Sequence, residues 1–185
     1  MALALFKFNL LGLASAFLLF YTVLSNNPWW TVYGGVGDER TFSAEVSPFN
    51  ISVEVLGKPV IVPILFYLTM AARLSILLAA ATTLSGSLLA NKLWSKPLVS
   101  LRGLLLPVLF LGGLFVTLNL ASSYANVSIP LIGRSTIKYT IDYGGLRIGT
   151  ETAVEAALTQ EYWIALTAGV LSALAKAVHG RIDQY

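Results

Sequence analysis

A membrane-embedded four-helix bundle carrying an antiparallel β-sheet on its outer side is the fold class predicted here, and three observations predict it. The chain of 185 residues is 56% apolar and only 11% charged. Its mean hydropathy is +0.75. An ordinary soluble domain carries about 25% charged residues, and a water-soluble globule of this size cannot hide so much apolar surface. The apolar residues gather into four long runs, and the segments between them that are predicted to face outward alternate with period two.

Each run is read against the roughly 20 apolar residues needed to cross a bilayer. The first span covers about residues 8–25, headed by Lys7 and ended by Asn26-Asn27-Pro28. It is read as a retained span, because no small-x-small cleavage site follows the apolar stretch. The second covers about 68–90, with Val60–Tyr67 before it as a strand or helical extension outside the membrane. The third covers about 103–122, with Pro107 one turn in, where its missing N–H is tolerated. The fourth, about 158–178, is rich in alanine.

Orientation follows from the basic residues near the span ends. Lys7, Lys92, Lys96, Arg102, Lys176 and Arg181 share one side with Asp183 alone, whereas the other side holds more acids than bases. Both termini are therefore expected in the cytoplasm of a multi-pass plasma-membrane protein. The net charge of +3 is a topological signature and gives no reason to propose nucleic acid.

The outer segments, residues 29–67 and 123–157, are expected to build the sheet. Phe42, Ala44 and Val46 alternate with polar neighbours, as do Phe49, Ile51, Val53 and Val55. Ile137, Tyr139, Ile141 and Tyr143 repeat the pattern, and Gly144-Gly145 before Leu146-Arg147-Ile148 signals a tight hairpin. Val127, Ile129 and Leu131 suggest a further strand. Thr150–Glu161, rich in Ala and Glu, reads as a helix running into span four. Gly34-Gly35-Val36-Gly37 reads as a flexible outer turn. Asn50-Ile51-Ser52 and Asn126-Val127-Ser128 are glycosylation sequons on the outer side.

Chemistry-bearing residues are sparse. There is no cysteine, which excludes disulfides, Cys-ligated metals and a thiol nucleophile. The one histidine, His179, rules out a bis-His haem or multi-His copper site within this chain alone, and it reads as an interfacial residue. No cofactor is expected. The outer Ser, Thr, Asp and Glu residues have no His or Cys beside them to form a nucleophile–base pair, so the chain reads as a non-enzyme. Few thermolabile residues, with two Met and no Cys, suit a thermophilic archaeon.

Arg73 is the only charge in the second apolar run. A buried charge in lipid is costly, so Arg73 is placed at the outer interface, tied to loop carbonyls or to Glu155 or Glu161, with Glu161 preferred. Trp29, Trp30, Trp94, Trp163, Tyr21, Tyr124 and Tyr162 cluster near span ends, as interfacial belts do. Gly112 and Gly113 in span three, and Ala165, Gly169 and Ala173 at spacing four in span four, suit close helix packing within the bundle or against another subunit. Asn9 and Asn119 are candidates for bonds between helices.

Two local motifs give a resemblance. Pro28-Trp29-Trp30 after span one resembles the P-x-W with which claudins open their first loop, and Ala71-Ala72-Arg73 resembles the A-A-R at the outer start of their second span. With four spans, inner termini and a β-rich first loop, the chain resembles the claudin/PMP22-type tetraspan superfamily. The family's G-L-W motif and loop cysteine pair are absent, and the second outer segment is longer than claudins usually have. The resemblance implies lateral interaction and no chemistry. The functional expectation is an accessory subunit or cell-surface interaction protein whose partners are the bilayer and other membrane subunits or further copies of itself. The competing expectation is a transport or electron-transfer component whose site is completed by partners.

Overall fold

The computed structural model describes residues 8–36, 39–61, 63–99, 101–125, 129–143 and 146–182. Among these residues there are four α-helices: α1 Leu10–Ser25, α2 Pro63–Leu88, α3 Arg102–Ala125 and α4 Gln160–Ile182. Within the described residues, three helical stretches are long and apolar enough to cross a membrane: Pro63–Leu88, Trp94–Tyr124 and Gln160–His179. α1 is shorter, with 16 residues.

α1 is the hub. Its buried residues Gly12, Ser15, Ala16, Leu19, Thr22 and Val23 recur at helical spacing, and it packs against both α2 and α4. α2 answers with one narrow stripe, Ile76, Ala79, Ala80, Thr83, Gly86 and Ser87. α3 leans on α4. The remaining faces of α2 and α3 are apolar and exposed, among them Phe66, Leu74, Leu78, Leu109, Phe115 and Val116. A helix apolar all round belongs in lipid or in a larger core. Thr69, Thr117, Asn119 and Thr167 bond back to carbonyls of their own helices, which satisfies them without water.

The strands are β1 Trp30–Val36, β2 Glu39–Val46, β3 Ile51–Val55, β4 Lys58–Pro59, β5 Gly133–Tyr143 and β6 Leu146–Leu158. They form one antiparallel sheet in the order β4-β3-β2-β1-β6-β5. The two outer segments therefore meet at the β1–β6 pair. One sheet face is apolar: Trp30, Val32, Val154 and Ala156 are buried against Leu114 and Leu118 of α3, with Phe42, Ala44, Val46 and Ile137 at the margin.

Several expectations change. Thr150–Leu158 is strand, not helix, and α4 begins at Gln160. Pairing with β1 on one side and β5 on the other overrides the helix preference of its Ala and Glu residues. Gly34-Gly35-Val36 belongs to β1 rather than to a turn, and the missing Cβ of Gly34 makes room for the Phe42 ring. Of the residues before span two, Pro63–Tyr67 take the helical alternative as the start of α2, and Val60 and Ile61 lie in neither helix nor strand. Ile129 and Leu131 are not in a strand but still pack on the sheet core. Gly144-Gly145 lies outside the described residues. Val127 and the Asn126 sequon also lie outside them.

Candidate functional site

Two polar junctions hold the helix ends, one beside the sheet and one at the far end. The sheet-side junction forms around Phe49. The Ser47–Asn50 turn is pinned by the buried Ser47 hydroxyl, which accepts from the Phe49 and Asn50 amides at 3.2 and 2.9 Å. This turns the Phe49 carbonyl toward α2, where it accepts from Arg73 Nε at 3.2 Å and Nη2 at 3.0 Å. Arg73 Nη2 also donates to the Asn26 side chain. Asn26 ends α1 in the left-handed conformation, with φ 54°, a region asparagine tolerates better than most residues. One guanidinium thus ties α1, α2 and the β2–β3 turn.

Beneath it sits Trp29, 1% exposed. Its ring meets Phe49, Phe110 and Tyr162 edge-on, with centroids 5.5, 5.3 and 6.1 Å away. Strand pairing continues into this plug: Trp29 N–H donates to Val46 O at 3.0 Å, and Thr159 N–H donates to Trp29 O at 2.9 Å. The motifs Pro28-Trp29-Trp30 and Ala71-Ala72-Arg73 thus converge on one residue, Phe49.

The carboxylates expected to pair with Arg73 lie elsewhere. Glu155 bonds Arg134 at 3.2 Å across β5 and β6, and Glu161 accepts from Asn27 at 2.6 Å. Arg73 takes the loop-carbonyl option because Phe49 O is delivered to it by a fixed turn, whereas Glu155 sits on a strand beside its own basic neighbour.

The far junction was not foreseen as a unit. Asn9 caps α1: its Oδ1 accepts from the Gly12 amide at 3.2 Å. Its Nδ2 then donates to Ala175 O at 2.8 Å and lies 3.2 Å from His179 Nδ1. The other ring nitrogen, Nε2, is 2.8 Å from Ser95 Oγ, which donates to Lys92 O at 2.6 Å. With the Asn9 amide oriented by Gly12 and Ala175, Nδ1 accepts and Nε2–H donates, so the tautomer is assigned by the network. Asn9, Ser95 and His179 are all buried. Asn9, the 3-10 turn Leu93–Leu98 and α4 are joined through residues far apart in sequence. The capping asparagine was the one local signal available.

Small residues close this end and the middle of the bundle. At this end a Cβ on Gly12 would fall on Ser87; midway along α4, one on Gly169 would lie 2.6 Å from Leu104 Cα and 2.8 Å from Gly103 O. Gly169 and Ala165 are buried inside the bundle, and Ala173 is half-buried. Gly112 and Gly113 face open space on α3. Asn50 is exposed at its turn. Among the described residues, no group of three or more His, Cys, Asp or Glu could hold a metal. A shallow groove of about 330 Å³, lined by Leu18, Gln160, Trp163, Ile164 and Thr167, is open to the surroundings.

No protein-family model matches the chain, and no curated protein matches it at a significant level. The hydrogen bonds of the two junctions hold helix ends, turns and sheet together, while Trp29 Nε1 in the sheet-side plug and Ser87 Oγ beside Gly12 are buried without a partner among the described residues.

Proposed function

We propose that this chain is a four-span protein of the plasma membrane, claudin/PMP22-like in organisation, with both termini in the cytoplasm. It acts without chemistry, as an accessory subunit or cell-surface interaction protein. α1 runs antiparallel to α4 from the Asn9 junction to the Trp29 junction, which supports its service as the fourth span. Its 16 residues cover about 24 Å, and a bilayer core of about 30 Å is met by thinning and by residues beyond its ends.

The observation that carries the reading is the mounting of the sheet. Its apolar face is taken up by α3, while Glu54, Arg134 and Glu155 stand exposed on strands β3, β5 and β6. A firmly seated sheet with one polar face turned away from the bundle is suited to meeting other proteins.

The test is extraction from native membranes in mild detergent, followed by identification of co-migrating subunits and an absorbance spectrum. A stable assembly without haem or copper absorbance is expected. A haem or copper spectrum that tracks this chain would reject the reading.

A further inference from the structure

We propose that the free edge of β5 pairs with β5 of a second copy, joining two chains through one continuous sheet. The sheet order leaves two edges, and they are built differently. β4 has two residues and ends in Pro59, which offers no N–H; this is how edges are blunted. β5 has 11 residues and no proline, and among the described residues it pairs with β6 alone.

The outer half of that hairpin also lacks a third strand. β1 supports β6 only from Ala153 to Leu158. Beyond that, Ile137–Tyr143 and Leu146–Thr152 form a two-stranded ribbon. An isolated two-stranded ribbon is marginal in water, and a third strand removes the deficit.

The occupant is argued from self-complementarity. Antiparallel pairing centred on Thr140 sets each Lys138 opposite the other copy's Asp142. It sets Tyr139 opposite Ile141 and Ile137 opposite Tyr143, and the two Thr140 residues meet at the two-fold axis. Opposite charges, aromatic–β-branched pairs and Thr–Thr pairs are the cross-strand combinations that stabilise a sheet. Neighbouring registers are poorer: centring on Lys138 sets Asp142 opposite Arg134 but lysine against lysine at the axis, and centring on Tyr139 or Ile141 leaves Lys138 and Asp142 opposite uncharged positions. The axis stands perpendicular to the sheet, so alternate positions of both ribbons stay on matching faces.

β1 leaves the bundle at the end of α1, and β6 returns to it at the start of α4. The strands thus run beyond α1 and α4 but alongside the second half of α3, whose Leu114 and Leu118 cover their apolar face, and an antiparallel copy points its strands back. The pairing does not rest on the cell-surface reading.

The test uses the full chain in detergent, with mass measured by light scattering across a concentration series. Lys138→Asp and Asp142→Lys should each weaken the dimer about tenfold, because each homodimer then opposes like charges twice. An equimolar mixture should restore it, since both bridges re-form between unlike copies. The mixture also controls for damage within a chain, because Lys138 bonds Glu151 in its own copy. The chain has no cysteine, so Thr140→Cys should give a disulfide dimer on mild oxidation, and Ser43→Cys on β2 should not. The proposal is overturned if the wild type stays monomeric, if the charge variants associate as well as wild type, or if the mixture stays dissociated. Should a charge variant not fold, the Thr140→Cys yield decides alone: a yield no higher than that of Ser43→Cys rejects the pairing. Labelling of Thr140→Cys in intact cells with an impermeant reagent tests the compartment separately, so a failed topology and a failed dimer are distinguishable.

Discussion

The two ends of the bundle solve the same problem with opposite materials. Beside the sheet, large side chains do the joining: Trp29 inside a ring of Phe49, Phe110 and Tyr162, with a charged guanidinium reaching backbone carbonyl and amide oxygens. At the far end, helices approach through Gly12 and Gly86, with Gly103 and Gly169 making the same kind of contact midway along the bundle, and a neutral chain from Asn9 through His179 to Ser95 closes the gap. Large plugs tolerate imprecise backbones, because one ring covers much area. Small-residue contacts need close registry and short polar links. The sheet end must join helices to strands of different direction, whereas the far end joins helices to helices.

The largest expected effect breaks the sheet end. Trp29→Ala removes the ring shared by α1's exit, α3 and α4, and should cost about 3–5 kcal/mol, the range for large aromatic truncations. Hydrogen exchange should rise in β1 and β6 while the α4 amides near His179 keep their protection. Equal loss at both ends would mean the two junctions form one cooperative unit.

Asn9→Ala attacks the other end and should cost about 2 kcal/mol, since it leaves the Gly12 amide and the His179 ring short of a partner in a buried site. Thermal unfolding in detergent measures the loss, and exchange should now rise at α1's start and around Ser95. If Asn9→Ala proves as stable as wild type, the polar chain is incidental and the glycine contacts alone hold that end.

How much of this was legible in the sequence follows from locality. α2, α3 and α4 announce themselves by apolar length, and β2 and β3 by alternation. β6 hid behind helix-forming residues, yet its period was present: Thr152, Val154, Ala156 and Leu158 face inward, while Glu151, Ala153, Glu155 and Ala157 face outward. In β6 period outranks propensity. That Arg73 needs a partner was legible, because cost forbids leaving it unpaired in lipid; that the Phe49 carbonyl and not the preferred Glu161 supplies it was not, because the Ser47–Asn50 turn that delivers the carbonyl leaves no mark in the spacing. The far junction was not, because residues 9, 95 and 179 share no local pattern.

Arg73→Gln sharpens the comparison with a smaller effect, about 1 kcal/mol. Glutamine keeps one donor pair and loses the fork that holds both Phe49 O and Asn26. Because Arg73 is only partly buried, water takes over some of what is lost. The Ser47–Asn50 turn should become more open to exchange while β6 stays protected. A loss as large as that of Trp29→Ala would make the charge, not the ring, the keystone of the sheet end.

The smallest effect belongs to a pair at neither end. Lys138 and Glu151 meet at 2.9 Å on exposed strands, and the hydrogen bond and charge of Glu151 hold the lysine above its ordinary range. A raised lysine pKa means the folded chain binds that proton more tightly than the unfolded one. Its contribution is complete below the unfolded value of 10.5 and disappears as pH rises through the folded value. Both side chains are largely in water, so counter-ions and solvent screen the pair. Lys138→Met should therefore match wild type in melting temperature at neutral pH in moderate salt, with any small gap closing as pH rises through the folded lysine's raised value. A gap that persists past that pH would trace to packing of the lysine stem and not to its charge. A large gap at neutral pH would place a third junction in the ribbon and end the view that stability resides at the two ends of the bundle.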